Sequence, residues 1–233
     1  MRICVLSDIH SNYEALVGAL SLSRQLRADM VYCLGDIVGY GGNPNECVNL
    51  IRESVSYSVL GNHDLAVIDA LHARHLSRDG KAAAEWTRRI LTRENLTYLE
   101  NLPYLYESEP LTLAHSNPSS PDKWTYITSL EDARPQFSGF KTPLCFIGHS
   151  HVPFICGEDL TTLFLKNGIR CIINVGSVGQ PRDGNPQLSF GFLDTDAWTY
   201  ENIRADYDVN SAARSIIKNG LPRHLASRLF RGV

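Results

Sequence analysis

The first sixty residues alternate between apolar runs and helix-like stretches, and this alternation limits the fold more than any other feature. The apolar runs lie at 2–7, 30–34 and 54–60, and stretches with helical spacing of apolar residues separate them. Parallel strands joined by a helix form a right-handed crossover in nearly every known protein. The pattern therefore predicts a β-α-β-α-β unit, a parallel sheet and an α/β fold.

Two local signals predict where the helices of this unit begin. Ser11 and Glu14 have the S-x-x-E spacing of a capping box, which satisfies free backbone N–H groups at a helix start. Pro44 suits the first turn of the second helix, because proline has no N–H to leave unpaired there.

The pattern changes after residue 64. Residues 65–102 contain three helical stretches and no strand, which predicts a helical cap inserted into the fold. After Pro103 the chain becomes rich in strand-like runs, including 123–127 and 161–166, with a helical stretch at 129–137. Short successive strands of this kind favour an antiparallel second sheet.

The end of the chain predicts two helices, at 209–218 and 222–230. No repeat, low-complexity tract or linker divides residues 1–233, so we predict a single domain with two sheets back to back and helices outside.

Composition excludes several classes of protein. A hydrophobic share of 43% and a charged share of 20% are typical of a soluble globular chain. The formal net charge of −3 gives no general attraction to nucleic acid or anionic membrane. No apolar run approaches the ~20 residues of a membrane span. Arg2 is followed by only four apolar residues, too few for a signal peptide, so we expect a cytoplasmic protein.

The six cysteines form no C-x-x-C pair, and four of them lie inside apolar runs. Buried thiols behave as small hydrophobic groups, and a cytosolic setting disfavours disulfides. We therefore expect structural thiols.

Polar residues that can bind metal follow the ends of five apolar runs. They are Asp8, His10, Asp36, Asn62, His63, Asp64, His115, His149 and His151. Carboxylate and imidazole ligands together suit Mn, Fe, Zn, Co or Ni. In extended backbone, residues two apart point to the same side. Asp8 and His10 are therefore expected to reach one ion, and His149 and His151 have the same spacing.

Two glycines accompany these residues. Gly61 is expected to adopt backbone angles closed to other residues, and Gly148 to let the backbone approach closely. Taken singly, each of these polar motifs is also explained without a metal, as a solvated strand end, a turn or a buried histidine. Their recurrence at successive strand ends favours a metal site.

The ordered set D-x-H at 8–10, GD at 35–36, GNHD at 61–64, His115 and GHSH at 148–151 resembles the calcineurin-like metallophosphoesterases. In GDIVGYG and HSNPSSPDKW the chain looks most like a subgroup with diadenosine tetraphosphate hydrolases and broad phosphodiesterases. GDIVGYG departs from the usual GD-x-x-[DN] continuation and places Tyr40 near the site. In these proteins a glycine often precedes the histidine that corresponds to His115, and here that position is Ala114.

The resemblance implies a four-layer αββα sandwich of two mixed sheets flanked by helices, with a dinuclear metal site. The first ion would be held by Asp8, His10, Asp36 and His151. The second would be held by Asp36, Asn62, His115 and His149, with Asp36 bridging.

The resemblance also implies a reaction, in which a metal-bridging hydroxide attacks phosphorus in line. His63 would protonate the leaving oxygen or donate to the phosphoryl group, and Asp64 would orient its ring. Asn12 and Arg182 are candidate contacts to the substrate anion.

The implied function is hydrolysis of a phosphodiester or a nucleotide of the diadenosine polyphosphate type, with a phosphomonoester or phosphoprotein as the alternative substrate. Two other classes stay open at this point: a non-catalytic metal-binding scaffold and a di-iron redox enzyme. The oligomeric state is open and includes a homo-oligomer. We expect the insert to act as a lid or wall of the substrate pocket, with Trp86, Arg88 and Tyr98 available to contact substrate.

Overall fold

The computed structural model describes residues 1–233 and contains ten strands in two sheets. The strands are β1 (Arg2–Leu6), β2 (Met30–Cys33), β3 (Tyr57–Ser58), β4 (Leu105–Ser108), β5 (Leu111–Ala114), β6 (Leu144–Ile147), β7 (Phe154–Gly157), β8 (Cys171–Asn174), β9 (Leu188–Asp194) and β10 (Thr199–Ala205).

Eight α-helices cover the sheets and form the insert. They are α1 (Tyr13–Gln25), α2 (Pro44–Ser54), α3 (Asn62–Ile68), α4 (Arg78–Ile90), α5 (Arg93–Glu100), α6 (Leu130–Ala133), α7 (Val209–Lys218) and α8 (Arg223–Leu229). Two 3-10 helices lie at His72–His75 and Arg134–Gly139. None of the helices is long and apolar enough to cross a membrane.

The first sheet has the order β10-β9-β1-β2-β3. Strands β1, β2 and β3 are parallel, as the alternation of the first sixty residues predicts, whereas β9 and β10 add an antiparallel edge. The second sheet has the order β4-β5-β6-β8-β7, with β5, β6 and β8 parallel and β4 and β7 antiparallel at its edges. The α/β fold of two mixed sheets is confirmed.

The two sheets pack face to face through alternate residues of their strands. Ile3 and Val5 of β1 share one buried cluster with Leu113 of β5 and Phe146 of β6. Full burial of one such aliphatic side chain stabilises the fold by ~1.5–3 kcal/mol. The opposite faces of the sheets pack against helices, which produces the four layers.

The prediction of an antiparallel second sheet is wrong. The connection from β5 to β6 contains α6 and a 3-10 helix, which is long enough for a parallel crossover. The hairpin of β9 and β10 joins the first sheet instead of the second. Strand direction depends on partners far along the chain, so a series of short strands does not reveal it.

Two predicted strands are absent. Residues 123–127 form a loop in which Trp124 has φ of 54°, outside the extended region. Residues 161–166 begin in a turn, because Asp159 accepts hydrogen bonds from the backbone N–H groups of Thr161 and Thr162.

The capping residue of α1 also differs from the expected one. Asn12 caps the helix, with its Oδ1 accepting from the N–H of Ala15 at 3.2 Å. Ser11 lies in the left-handed region, with φ of 54°, so the helix starts one residue later than the capping box requires. The six cysteines are free and buried, as expected for structural thiols.

Candidate metal centre

The candidate metal ligands lie where the parallel strands of both sheets end. Asp8 follows β1, Asp36 follows β2, His115 follows β5 and His149 follows β6. The carboxyl ends of parallel strands meet at one edge, where open α/β sheets bind their ligands. Three groups of His and Asp side chains come together there, each with its ligand atoms within 4.8 Å of one another.

The backbone at these residues is not extended. Asp8, His10, Asp36, His149 and His151 all have positive φ, between 50° and 67°. A non-glycine residue in the left-handed region costs ~1–2 kcal/mol. The expectation that extended backbone would point Asp8 and His10 the same way is therefore wrong. Their side chains converge because the chain turns in this strained conformation after β1, β2 and β6, a concentration of strain that is typical of functional sites.

Backbone carbonyl groups orient the imidazole rings. The Nδ1 atoms of His115 and His151 lie 2.8 Å from Leu34 O and 2.5 Å from Gln180 O. A ring that donates its Nδ1–H to a carbonyl directs the lone pair of Nε2 to the opposite side, which is the usual support for a metal-binding histidine. His149 is reversed: its Nε2 lies 2.9 Å from the carbonyl of Trp124, which leaves Nδ1 for an ion.

Asp8, His10 and His151 form the first group of ligand atoms. His10 Nε2 lies 3.2 Å from His151 Nε2, and Asp8 Oδ1 lies 3.1 Å from His151 Nε2. Asp8 Oδ1 is buried and has no hydrogen-bond partner. Two imidazole nitrogens and a carboxylate oxygen that converge at these distances can all bind the same cation. The donor set therefore fits a transition-metal ion.

Asp36 lies between the two halves of the site. Its Oδ2 is 3.6 Å from His10 Nε2 and 3.4 Å from His115 Nε2. Its Oδ1 accepts a hydrogen bond from the backbone N–H of His63 at 2.7 Å. One oxygen of Asp36 is thus already used, and the other faces both groups of ligand atoms.

Asn62, His115 and His149 surround the other side of Asp36. The Oδ1 atom of Asn62 lies 3.2 Å from His115 Nε2. Asp36, His115 and His149 form a second group whose ligand atoms lie within 4.8 Å of one another. The buried His and Asp clusters are consistent with a dinuclear site.

Charge and burial shift the pKa values of these groups strongly. Burial lowers the pKa of His151 to about 4 and that of His149 to about 3, although Asp8 and Asp36 oppose the change. Burial is the largest single effect on His115 and lowers its pKa, but the charge and hydrogen bond of Asp36, with the charge of Asp8, together outweigh burial and raise the pKa to about 9. In the metal-free protein His115 is therefore expected to be the imidazolium cation at neutral pH, with a proton on both ring nitrogens.

We expect metal binding at pH 7 to release about one proton per chain, because Nε2 of His115 must lose its proton to bind an ion. Apparent metal affinity should accordingly rise with pH until the pKa of His115 is passed. Calorimetric titration of metal-free protein with Mn²⁺ in two buffers of different ionisation enthalpy counts the protons.

Asp64 is a second possible source of protons at pH 7, since burial and the charge of Asp36 raise its pKa to about 7. A variant of Asp64 is therefore the control for this titration. Asp64→Asn should keep the proton release, and His115→Gln should lose most of it. Metal binding at pH 7 without proton release would contradict the expected state of His115.

The GNHD segment forms the start of α3 rather than an isolated turn. Gly61 has φ of −99°, so the expectation of unusual backbone angles is wrong. Glycine is needed for space: a Cβ at Gly61 would lie 2.2 Å from Asp36 N and Oδ1. The same reason applies at Gly148, where a Cβ would lie 2.4 Å from Asp8 Oδ2.

His63 and Asp64 lie beside the ligands but do not contact each other through their side chains. The carboxylate of Asp64 accepts hydrogen bonds from the N–H groups of Val38 and Gly61, at 3.0 and 3.1 Å. Asp64 therefore fixes the backbone on both sides of the site, and direct contact with the His63 ring is not observed. Nδ1 of His63 is buried without a hydrogen-bond partner.

The two candidate substrate contacts differ in their surroundings. The amide of Asn12 is 4% exposed, and its Nδ2 donates to Gly179 O and to Tyr207 Oη. Because its Oδ1 caps α1, the polar atoms of Asn12 are used inside the protein. Arg182 lies at the wall of a cleft of about 680 Å³ that also contains Asn62 and His63. A role of Asn12 toward substrate stays a prediction.

Sequence reasoning missed two aromatic residues of this cleft, because it placed them in a strand. The ring of Tyr126 stacks on His149 at 4.0 Å, and that of Trp124 lies edge-on to His115 at 5.8 Å. Their position beside the ligands follows from a loop between distant elements. The only sequence signal is an aromatic pair in a Ser- and Pro-rich stretch.

The insert lines the cleft through residues other than those expected. His72, His75, Leu76 and Ser77 form part of its wall. Arg88 instead donates to the carbonyl groups of Val67 and Ala66. Trp86 packs in a cluster with α7 and α8, and Tyr98 hydrogen-bonds to Ser58. Trp86 and Tyr98 thus attach the insert to the body, whereas Arg88 joins α4 to α3 within the insert.

Comparison with known proteins places the chain among relatives of the same architecture. The crystal structure of a metallophosphoesterase from Sphaerobacter thermophilus has 39% sequence identity and a TM-score of 0.88, and the match covers 100% of this chain and 99% of that one. An uncharacterized protein of Methanocaldococcus jannaschii is 39% identical over 240 residues, covering 99% of this chain and 98% of the relative.

A more distant match concerns part of the chain. The symmetrical bis(5'-nucleosyl)-tetraphosphatase of Nitrosococcus oceani is 30% identical over 144 residues, which is 58% of this chain and 49% of that protein. The model of the calcineurin-like phosphoesterase superfamily domain matches residues 1–197, a range that contains every candidate metal ligand described above. With its strand-end ligands, its paired mixed sheets and this match, the chain belongs to the calcineurin-like phosphoesterase superfamily.

Proposed function

We propose that this metallophosphoesterase hydrolyses phosphodiester or phosphoanhydride bonds of nucleotide-type substrates at a dinuclear centre. The observation that carries the proposal is the convergence of seven ligand-type side chains from both sheets, with Asp36 facing both groups and Asn62 in contact with His115. A scaffold without activity would have no need for five of these seven side chains to lie in strained backbone.

The residues that would hold the ions fall into two groups that share Asp36. The first group is Asp8, His10, Asp36 and His151, and the second is Asp36, Asn62, His115 and His149. When bound, two such ions supply Lewis-acid stabilisation of phosphoryl oxygens and a nucleophile at neutral pH. The 3.2 Å approach of His10 Nε2 to His151 Nε2 supports this assignment.

His63 is proposed as the proton donor to the leaving oxygen. Its ring lies edge-on to His10 at 4.9 Å and faces the same cleft. Burial holds the pKa of His63 well below its ordinary value, with His10 and Arg182 acting in the same direction against Asp36. We therefore propose that the ring takes up its proton when the anionic substrate binds, because a nearby negative charge favours the protonated form and raises the pKa of His63.

The cleft favours a substrate with an aromatic base. Trp124 and Tyr126 line one side of it, and Arg182 lies on its wall as well. Stacking of a base on an aromatic side chain contributes about 1–3 kcal/mol. The partial similarity to a bis(5'-nucleosyl)-tetraphosphatase supports the same substrate class.

A panel of substrates on protein of measured metal content tests the proposal. We expect up to two transition-metal ions per chain after soaking in Mn or Fe, measured by elemental analysis, because the seven proposed ligands divide between two ions that share Asp36. Bis(4-nitrophenyl) phosphate and diadenosine tetraphosphate should be hydrolysed faster than 4-nitrophenyl phosphate or a phosphopeptide. Protein treated with a chelator is the control, and its activity should return with metal.

Fewer than one ion per chain after soaking would overturn the dinuclear assignment. A preference for the monoester or the phosphopeptide would favour the phosphomonoesterase alternative over a nucleotide substrate.

A further inference from the structure

Two arginines flank a single aromatic ring in the cleft. Cζ of Arg182 lies 5.8 Å from the centroid of the Tyr40 ring, and Cζ of Arg228 lies 5.9 Å from it. Arg182 belongs to the loop before β9, whereas Arg228 comes from α8. Both line the cleft together with His63, so two positive charges from distant parts of the chain face the same space.

No carboxylate side chain neutralises these charges. Neither guanidinium has an Asp or Glu oxygen within 4.0 Å. Asp79 acts on Arg228 only from a greater distance, where its charge partly offsets the effects of burial and of Arg182. Burial lowers the pKa of Arg228, and the charge of Arg182 adds to this effect. Two partly buried like charges are unfavourable without an anion, so the pair points to an anionic ligand.

The hydrogen bonds of both side chains leave donors free. Nη2 of Arg182 donates to Gln180 Oε1 at 2.9 Å, while its Nε is buried without a partner. Nε of Arg228 donates to the backbone oxygen of Val233. A guanidinium has five N–H donors, so each arginine is held in place and keeps N–H groups for a ligand.

The Tyr40 ring connects this pair to the metal centre. Its centroid lies 4.7 Å from the His10 ring and 4.4 Å from the His63 ring. An anion bound by these arginines in the cleft would therefore lie near the ring that contacts both histidines. That position differs from the one occupied by the phosphoryl group at the ions.

We propose that Arg182 and Arg228 bind a second phosphoryl group of the substrate, which is then a nucleoside or dinucleoside polyphosphate rather than a simple phosphodiester. This inference rests on the proposed phosphoesterase function and narrows its substrate class. Planar, bidentate recognition of phosphate is the property that distinguishes arginine from lysine.

The second arginine comes from a part of the chain outside the family match. Residues 1–197 match the superfamily domain, whereas Arg228 lies in α8. Helix α8 packs with α7 and Tyr40 in one buried cluster that includes Leu225 and Leu229. The C-terminal helices thus fix Arg228 at the cleft, and a substrate preference can arise there without any change in the metal ligands.

The test compares Arg228→Gln with wild type on two substrates that differ in their number of phosphoryl groups. We expect the KM for diadenosine tetraphosphate to rise about 10- to 100-fold, the effect of losing one charge-assisted contact to phosphate. The kcat/KM for bis(4-nitrophenyl) phosphate should stay within about twofold of wild type, since that substrate has one phosphoryl group. Arg228→Lys should restore part of the lost affinity.

Arg223→Gln is the matched control, because Arg223 is an exposed residue of the same helix and does not line the cleft. It removes the same charge and should leave both substrates unchanged. Calorimetric binding of a methylene-bridged dinucleoside tetraphosphate should show the same loss for Arg228→Gln, independent of turnover.

Equal losses on both substrates, or equal effects of Arg228→Gln and Arg223→Gln, would overturn the second phosphoryl site. A lowered melting temperature with unchanged KM would show that Arg228 only holds Val233, and it would overturn the site as well. Failure of the phosphoesterase function is distinguishable, because wild type would then hydrolyse neither substrate while the binding measurement still reports on Arg228.

Discussion

Replacement of Asp36 by Asn is expected to remove both metal ions and to lower activity by about 10³-fold or more, the loss that corresponds to several kcal/mol of transition-state stabilisation. Oδ2 of Asp36 is the oxygen that faces His10 and His115 together, so its charge supports both groups of ligands. An amide keeps the shape of the side chain and still accepts the hydrogen bond from His63 N–H. Elemental analysis and turnover of bis(4-nitrophenyl) phosphate measure the two effects.

Asp8→Asn provides the comparison, since Asp8 belongs to one of the proposed groups. It should weaken one ion and leave the other closer to its wild-type affinity. A second readout is the titration of His115 in metal-free protein, because Asp36 raises the pKa of His115 to about 9. Asp36→Asn should lower that pKa. If Asp8→Asn lost both ions while Asp36→Asn kept them, the bridging assignment would be wrong.

Replacement of His63 by Ala is expected to separate proton transfer from metal binding. The ring of His63 faces the cleft with Nδ1 unpartnered, whereas Asn62 beside it directs its oxygen toward His115. Loss of a positioned acid costs about 10²–10⁴ in rate. We therefore expect His63→Ala to keep both ions and to lose this factor on alkyl or ribose leaving groups. Nitrophenyl esters need the proton less and should lose much less activity.

His63→Gln is the second variant, because it keeps a hydrogen-bond donor without the proton transfer. Asp64→Asn should show a weaker form of the His63→Ala pattern, since Asp64 holds the backbone at Gly61 and Val38 rather than the ring. The measurement is kcat/KM over a series of leaving groups on protein of equal metal content. Loss of metal, or equal slowing of every ester, would replace the acid role by a ligand or phosphate-binding role.

The candidate metal ligands could be predicted from the sequence because each one follows an apolar run. Polar residues such as Asp8, Asp36 and His149 stand directly after segments that form buried strands, and the carboxyl ends of parallel strands meet at one edge. The order of these motifs also carried the resemblance to the family. The helical insert was readable for the same local reason, because helical periodicity lies within a single stretch of chain.

The direction of the strands in the second sheet was not readable, because pairing depends on residues far apart in the chain. The hairpin of β9 and β10 looks like a continuation of the second sheet in sequence but packs at the edge of the first. The strained backbone of the candidate ligands could not be predicted from the sequence either. An Asp-x-His step fits extended geometry in sequence, and the positive φ values of Asp8 and His10 arise only with the surrounding loops in place.

The amino-acid sequence by itself determined the α/β class, the set of ligand-type residues and the helices between β3 and β4, since all three follow from local patterns. The tertiary structure alone decided which side chains line the substrate cleft. Trp124 and Tyr126 reach it from a loop, and Arg228 reaches it from the last helix. Such contacts depend on the packing of elements that are distant in sequence, and packing is a property of the whole folded chain.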